Sequence, residues 1–579
     1  MADDYTRAGG EHPAVPKFLR AYHAGFVSRR EFLAAVTSLG VTAAVARGLA
    51  GSPVRAEETP VPGGRLRISM AVMAIEDPRL YDWPQKGNLA RGALESLVRQ
   101  NADATLSPWL LEGWETNADA SEHLLRLRPG VHWTNGDAFT AEDVIANLAR
   151  WAEAHVPGNS MATRIASLIE PKRVETRRVL ITRDNREIED EVEVAITGLI
   201  DGAVERVDAM TVRLRPARPD ITLIAGFSDY PALIVHRDFD ANGGDLTRVP
   251  VGTGPWVIDS VRVGDSAALS RRRDAHGWWG DAVFGPVALD GIDYIDYGTD
   301  PARDLAAFEA DEIDANYETT PSYVAEIDEA GLRKAGARTT NTVCVRMRVD
   351  RPPFDNQRVR HAVQRAVDNA VVLELGQQGF GTLGENHHVA PMHSDYAAIA
   401  PVPPDPARAL DMLREAGAAE TELELVSSDA DVPRNTCDAV AAQLRDAGMK
   451  VRRVILPTPA FWQDWRVFPF SATEWISRPL AAQTYVLAYR STGPWNETGF
   501  ADPRFDALLD RSLALIDPEA RRPLMAEMET LLRDSGVLIQ AFWRDTFRHM
   551  TDRVRGLEMH PTYELHLERV WLVPEAERE

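Results

Sequence analysis

Leu423-Glu424-Leu425-Val426-Ser427 and Val451-Arg452-Arg453-Val454-Ile455-Leu456 each read as a strand, and the residues from Asp438 to Ala447 between them read as a helix that Gly448 stops. Strand, helix and strand in that order make a βαβ unit, whose crossover is expected to be right-handed. The unit predicts an α/β fold with a partly parallel sheet. The flanking sequence carries the same helix punctuation: Asp405-Pro406 and Asp517-Pro518 each pair an N-cap with proline at the first helical position. Gly417 and Gly536 fall where helices should stop, and Asp355 precedes a stripe of Val359, Ala362, Val363, Ala366 and Val367. No repeat of solenoid length is evident.

Toward the N-terminus the pattern is strands first, then a helix across them. Leu66 to Met70 reads as a strand, and Leu89 to Val98 carries an apolar stripe at helical spacing. Gly113-Trp114-Glu115-Thr116 and His123 to Arg128 flank the turn-prone Asn117-Ala118-Asp119-Ala120, a two-stranded signal. Pro129-Gly130 and Asn135-Gly136 mark further turns. Thr140, with Asp143 three residues on, begins a helix whose apolar face is Val144, Ile145, Leu148 and Trp151. Residues 172–206 interleave opposite charges and read as an exposed hairpin or loop insertion.

At 579 residues the chain exceeds what a single core usually organises, so two or three lobes are expected. A formal charge of −23 argues against a nucleic-acid partner, because neutralising phosphates requires a dense cationic face. Cys344 and Cys437 lie far apart and belong to no Cys-x-x-Cys pair, so they are expected as buried free thiols. Ser28-Arg29-Arg30-Glu31-Phe32-Leu33 opens an apolar stretch to Ala46 that is too short to span a bilayer. That layout predicts a twin-arginine export signal, cleaved after Ala56 or nearer Ala50. No cysteine lies near its end, so the expectation is a soluble periplasmic protein rather than a lipoprotein.

Several segments, in order, carry a family resemblance. They are Leu127-Arg128-Pro129-Gly130-Val131-His132-Trp133-Thr134-Asn135-Gly136 running into Phe139-Thr140-Ala141-Glu142-Asp143-Val144, then Gly252-Thr253-Gly254-Pro255-Trp256. Pro352-Pro353-Phe354-Asp355-Asn356-Gln357-Arg358-Val359-Arg360 and Asp405-Pro406-Ala407-Arg408-Ala409-Leu410 follow. Together they resemble the peptide/nickel class (family 5) of ABC-transporter solute-binding proteins over nearly the whole chain after the leader. The resemblance implies a periplasmic-binding-protein-like bilobal clamp of three domains. A discontinuous first lobe would comprise 57–97, 250–337 and 540–579, an inserted second lobe 98–249, and an opposing third lobe 338–539, after a signal peptide at 1–56. It implies hinge closure over a small ligand for an importer with two membrane subunits and two ATPases. The expected partners are those subunits, the twin-arginine translocase and the ligand; a monomer without cofactor is expected.

In dipeptide-binding relatives an aspartate in a Trp-x-x-Asp arrangement holds the ligand's amino group. Here the segment reads Trp475-Ile476-Ser477-Arg478, and an arginine suits a carboxylate or phosphate and repels an ammonium. An anion-bearing, peptide-like or other organic solute is therefore expected, unless Arg478 is a salt-bridged structural residue. Tyr485, Tyr489, Trp495 and Asn496 are further candidates, combining aromatic surface with polar tips, although Tyr485 suits core packing equally. Trp475 and Gly254 complete the expected ligand-binding set, Gly254 from a tight strand-entry turn near the expected hinge.

Two other motifs read as decoys. Gly379-Phe380-Gly381-Thr382-Leu383-Gly384 spells a dinucleotide fingerprint but follows a helical segment rather than a strand. His387, His388 and His393 could coordinate a metal, and the resembled family includes nickel binders, but a loop without nearby carboxylates or thiolates makes a poor dedicated site. The alternative function, a periplasmic hydrolase of peptide or opine-like conjugates, finds no Gly-x-Ser-x-Gly, His-Glu-x-x-His or Cys/His pairing. A sensor using the same clamp is a third reading.

Overall fold

The structure, a computed structural model, describes residues 59–183 and 186–574. The twin-arginine segment and both cleavage positions lie outside them. Among the described residues, eleven strands form one mixed sheet. Its order is Trp256–Arg262, Ser266–Arg271, Gly291–Ile295, Arg65–Ser69, Ala315–Asn316, Leu538–Met550, Arg333–Met347, Phe470–Trp475, Glu422–Ser428 and Lys450–Leu456, with Gly381–Leu383 added on Leu538–Met550.

At one edge of this sheet lies the βαβ unit. Glu422–Ser428 and Lys450–Leu456 run parallel, with Leu423 opposite Val451 and Ser428 opposite Leu456. The connecting helix is longer than the sequence suggested and spans Asp431–Asp446. Pro433 sits in its first turn, where the backbone N–H groups have no intrahelical acceptor, so the ring costs no hydrogen bond there. Asp405 and Asp517 cap their helices with side-chain oxygens, and Gly417, Gly448 and Gly536 adopt positive φ at the ends.

A second, four-stranded sheet runs Leu111–Thr116, His123–Leu127, Thr211–Leu214, Val204–Asp208. Helix Ala141–Trp151 packs against it, with Val144, Leu148 and Trp151 buried and Ile145 partly buried. Its N-terminus is a capping box: the Thr140 N–H donates to Asp143 Oδ2 at 2.8 Å, and the Glu142 N–H donates to Thr140 Oγ1 at 3.3 Å. The charged segment forms the hairpin of Ile169–Arg183 and Arg186–Leu199, whose strands pair with each other.

The stripe from Leu89 to Val98 departs from expectation. Helix Pro84–Arg91 ends there, and Glu95–Ser96 and Val98–Gln100 are short strands. The Gly92 carbonyl accepts from the Trp256 N–H at 3.1 Å and the Ala93 carbonyl from the Gly254 N–H at 2.9 Å. Those acceptors serve a crossing segment instead of a further helical turn. Because residues 87–100 are buried throughout, apolar spacing could not separate helix from strand.

The apolar interior falls into distinct bodies. One core draws on Leu66 through Tyr317 and on Met550 through Leu572. Two others lie within 343–542, with Val343, Val345 and Met347 in one and Cys344 in the next, as expected for alternate faces of a strand, and a small one gathers Ala307, Phe308 and Ile313. Two long antiparallel strands pass between the bodies. Arg333–Met347 touches the first core through Ala335 and Ala337 and enters another at Val343, while Leu538–Met550 runs from Leu538 to Met550 in the opposite sense. Their pairing register shifts between Arg338 and Thr342 and again before Cys344, where the strands leave one body for the other.

Candidate ligand-binding cavity

Between these bodies lies a cavity of about 790 Å³, within the range of small-molecule sites. Trp83, Tyr230, Tyr317 and Glu318 contribute from the first body, and Asn341, Trp462, Glu474, Trp475, Arg478, Trp495 and Arg544 from the second or the strands that connect them. The bodies meet around it. Trp83, at the start of helix Pro84–Arg91, lies edge-to-face with Trp462 of helix Thr458–Asp464 at 5.5 Å, and the Ile221 N–H donates to the Leu513 carbonyl at 3.2 Å.

Arg478 lines this cavity, and it is also ion-paired to Asp229 of the other body. Its Nη1 donates to Asp229 Oδ2 at 2.6 Å, and Arg164 Nε donates to the same oxygen at 2.9 Å. Burial works to raise the Asp229 carboxyl, but the two guanidiniums overcome it and hold the group well below the usual carboxylate range. Two arginines on one aspartate leave a surplus positive charge, and both guanidiniums flank the Trp495 ring, at 5.0 Å for Arg164 and 5.6 Å for Arg478. Arg478 is therefore neither a free cation nor remote from the cavity, and both sequence readings of it describe part of its setting.

Backbone bonds fix the segment. The Arg478 N–H donates to Thr340 Oγ1 at 3.2 Å, and the Ser477 N–H donates to Asn341 Oδ1 at 2.5 Å. That second bond settles which end of the Asn341 amide is oxygen, so its Nδ2 is the free end. Asn341 Nδ2, Arg478 Nε and the Tyr317 hydroxyl are all buried without a hydrogen-bond partner. Unsatisfied buried donors are uncommon and costly, and here all three belong to residues around the cavity.

Trp475 presents only its ring, because its indole N–H donates to Glu497 Oε1 at 3.0 Å; it lies 5.9 Å from Trp495. The other candidates do not line the cavity. Tyr485 is fully buried among Tyr489 and Phe505, and Tyr489 bonds His388 Nδ1 through its hydroxyl at 3.0 Å. Asn496 closes a turn, donating to the Arg490 and Phe500 carbonyls. Gly254 sits where a Cβ would lie 2.5 Å from the Gly92 carbonyl oxygen, so its glycine character serves backbone crossing. A loop with Gly and Pro put Trp495 on the wall, whereas the aromatic content of Tyr485 and Tyr489 serves the core.

The decoys resolve structurally. Gly381–Leu383 is a strand after helix Asn369–Gln377, and a Cβ on Gly381 or Gly384 would fall 2.3 Å from a carbonyl of the neighbouring strand. Contrary to the expectation of a loop without carboxylates, His387 bonds Glu385; His393 bonds the Arg478 carbonyl, and burial pushes His388 down to about 3. No three metal-binding side chains cluster among the described residues. Cys344 and Cys437 are buried free thiols, and burial pushes the Cys437 thiol up to about 12.

Separate α/β bodies joined by paired strands around a cavity define the class of ligand-clamping binding proteins. Residues 105–497 match the family model for bacterial extracellular solute-binding proteins, family 5, and the chain belongs to that family. The chain is 23% identical to heme-binding protein A of Haemophilus influenzae over 495 residues, covering 79% of this chain and 82% of that one. It is 23% identical over 499 residues to the probable ABC transporter periplasmic-binding protein SapA of Escherichia coli, covering 79% and 82%. Haemophilus influenzae OppA, solved in complex with the peptide RPPGFSPFR, superposes with a TM-score of 0.72 at 18% identity, covering 89% of this chain and all of that one. The protein is thus a bacterial extracellular solute-binding protein, and these relatives are binding proteins.

Proposed function

We propose that the protein closes over a small organic, peptide-like solute bearing an anionic group, and that Arg478 and Asn341 hold that group. The observation that carries this reading is the pair of buried, unpartnered donors, Arg478 Nε and Asn341 Nδ2, on adjoining residues of the cavity wall. A carboxylate supplies two acceptor oxygens and matches the surplus charge left by Arg164, Asp229 and Arg478. Trp475 and Trp495 cover the solute's apolar part. The solute leaves unaltered, as the binding roles of the relatives support.

The crossing strands support a hinge at 338–342 and near 543, with the lobes divided as the resemblance implies. Export by the twin-arginine route as a soluble, unlipidated monomer completes the reading. Arg29→Lys with Arg30→Lys should leave the protein in the cytoplasm, as fractionation would reveal; unchanged export would contradict that route. For the site, the test is calorimetry with the solute recovered from protein purified out of its own host. Arg478→Ala should weaken binding by about 10- to 100-fold, the cost of unpairing a buried charged contact. Unchanged affinity would end the anion assignment.

A further inference from the structure

We infer that Arg346 and Glu497, an ion pair behind the cavity wall, are positioning residues that hold Trp465, Trp475 and Trp495 together as one aromatic surface. The three tryptophans line the cavity, whereas neither partner of the pair does. Arg346 is fully buried and Glu497 nearly so, and Arg346 Nε donates to Glu497 Oε2 at 3.0 Å. The other two nitrogens of Arg346 donate to the backbone carbonyls of Phe468 and Trp465. Glu497 Oε1 accepts the Trp475 indole N–H at 3.0 Å and the Thr473 hydroxyl at 2.7 Å. Trp495 stands two residues before Glu497 in the chain, and Arg466 Nη1 donates to the Pro494 carbonyl at 3.0 Å.

The sheet register makes this possible. Arg346 of strand Arg333–Met347 lies opposite Ser471 of strand Phe470–Trp475, and Cys344 lies opposite Thr473. Alternation then puts Arg346, Thr473 and Trp475 on one face of the sheet. From that face the guanidinium reaches the turn at 465–468, and the carboxylate joins the strand to the loop that carries Trp495. The turn also borders the contact between the bodies, because Trp465 lies 5.7 Å from Trp462, and Trp462 meets Trp83. One ion pair therefore ties the aromatic wall to the place where the bodies touch.

Stability alone gives no reason for such a pair. Taking two charges out of water is costly, and apolar side chains of similar volume often serve a core as well or better. Burial pulls the Arg346 guanidinium below its ordinary value, and Glu497 works the other way. What the pair supplies, and apolar packing cannot, is direction: each nitrogen of Arg346 and both carboxylate oxygens of Glu497 are engaged, each aimed at a particular segment. A binding wall needs its rings fixed by hydrogen bonds from behind, and here those bonds converge on two side chains.

The role rests on the cavity being the solute site, as proposed above, but the deciding readout needs no solute. Protein labelled with ¹⁵N in its tryptophan indoles is recorded by NMR, and Trp→Phe variants assign the signals of Trp465, Trp475 and Trp495. Arg346→Met with Glu497→Leu replaces the pair by apolar side chains, so its thermal melting should stay close to that of the wild type. The three wall signals should nevertheless shift or broaden, while those of Trp256 and Trp278 in the first core stay in place. Glu497→Gln keeps the shape and an acceptor for the Trp475 N–H but not the charge; it should move the Trp465 and Trp475 signals less, and it carries the test if the double variant does not fold. Retention of small molecules from a yeast-extract ultrafiltrate, read by native mass spectrometry, should fall at least about tenfold in the double variant. Unmoved wall signals in either variant overturn the inference, and so does an equal movement of every tryptophan, which would make the pair merely structural. Moved wall signals with unchanged retention leave the positioning role standing and overturn instead the solute contact proposed above for Trp475 and Trp495.

Discussion

Arg478 owes its setting to residues that no local sequence window contains. Asp229 and Arg164 come from hundreds of residues upstream, yet they decide how much of its charge a solute meets. Trp475, Arg478 and Trp495 were legible because motif and loop context mark them. Asn341, Glu318 and Arg544 were not, since long strands and their ends bring them together only in three dimensions. Glu474, directly before Trp475, offered the one local hint. A second buried carboxyl, Glu529, makes a separate residue-scale prediction. It is fully buried, its Oε2 has no partner, and burial, with help from Glu385 and Asp395, pushes it up to about 8. A carboxyl raised above its unfolded value contributes stability that is complete below about pH 4.3 and is lost as pH rises through about 8. Glu529→Gln should therefore gain on the wild type by roughly 2–4 kcal/mol between pH 5 and pH 8. Urea midpoints at the two pH values check this, and a difference independent of pH would contradict it.

Among the elements, those with their own punctuation were readable. Thr140 with Asp143, Asp405-Pro406 and Asp517-Pro518 each begin a helix through a local physical cause, and the structure places helices there. The βαβ helix begins earlier than the sequence reading placed it, and Pro433 stands in its first turn, which tolerates the ring. The stripe at Leu89 misled because its polar residues, Asn88, Arg91, Glu95 and Arg99, keep helical spacing yet are buried with the apolar ones. What ends that helix is a tertiary contact: residues 254 and 256 take the carbonyls of Ala93 and Gly92. Gly254→Ala would put a Cβ 2.5 Å from one backbone oxygen and 2.9 Å from another. It should cost about 1–3 kcal/mol in chemical denaturation while leaving solute affinity near that of the wild type, because the residue lies outside the cavity. A loss of affinity without a loss of stability would instead place Gly254 in the binding machinery.

For the whole molecule, the separation of cores is the feature that gives the cavity its function. A clamp responds to its solute only through contacts that the closed form makes and the open form cannot. In this structure the bodies touch through the pairing of Arg478 with Asp229, the Trp83 edge on Trp462 and the Ile221 bond to Leu513. The strands Arg333–Met347 and Leu538–Met550 are the covalent route between the bodies, and their pairing register shifts where they cross. The α/β class and family were readable in sequence, because ordered local motifs carry them. The charge pattern of the cavity was not, because it exists only when the bodies face each other. The most direct measurement is small-angle scattering of the mature protein with and without the solute recovered from its host. A smaller radius of gyration on saturation, with the solute afterwards recovered chemically intact, is the expected result; identical scattering in both states, or a transformed solute, would contradict the account.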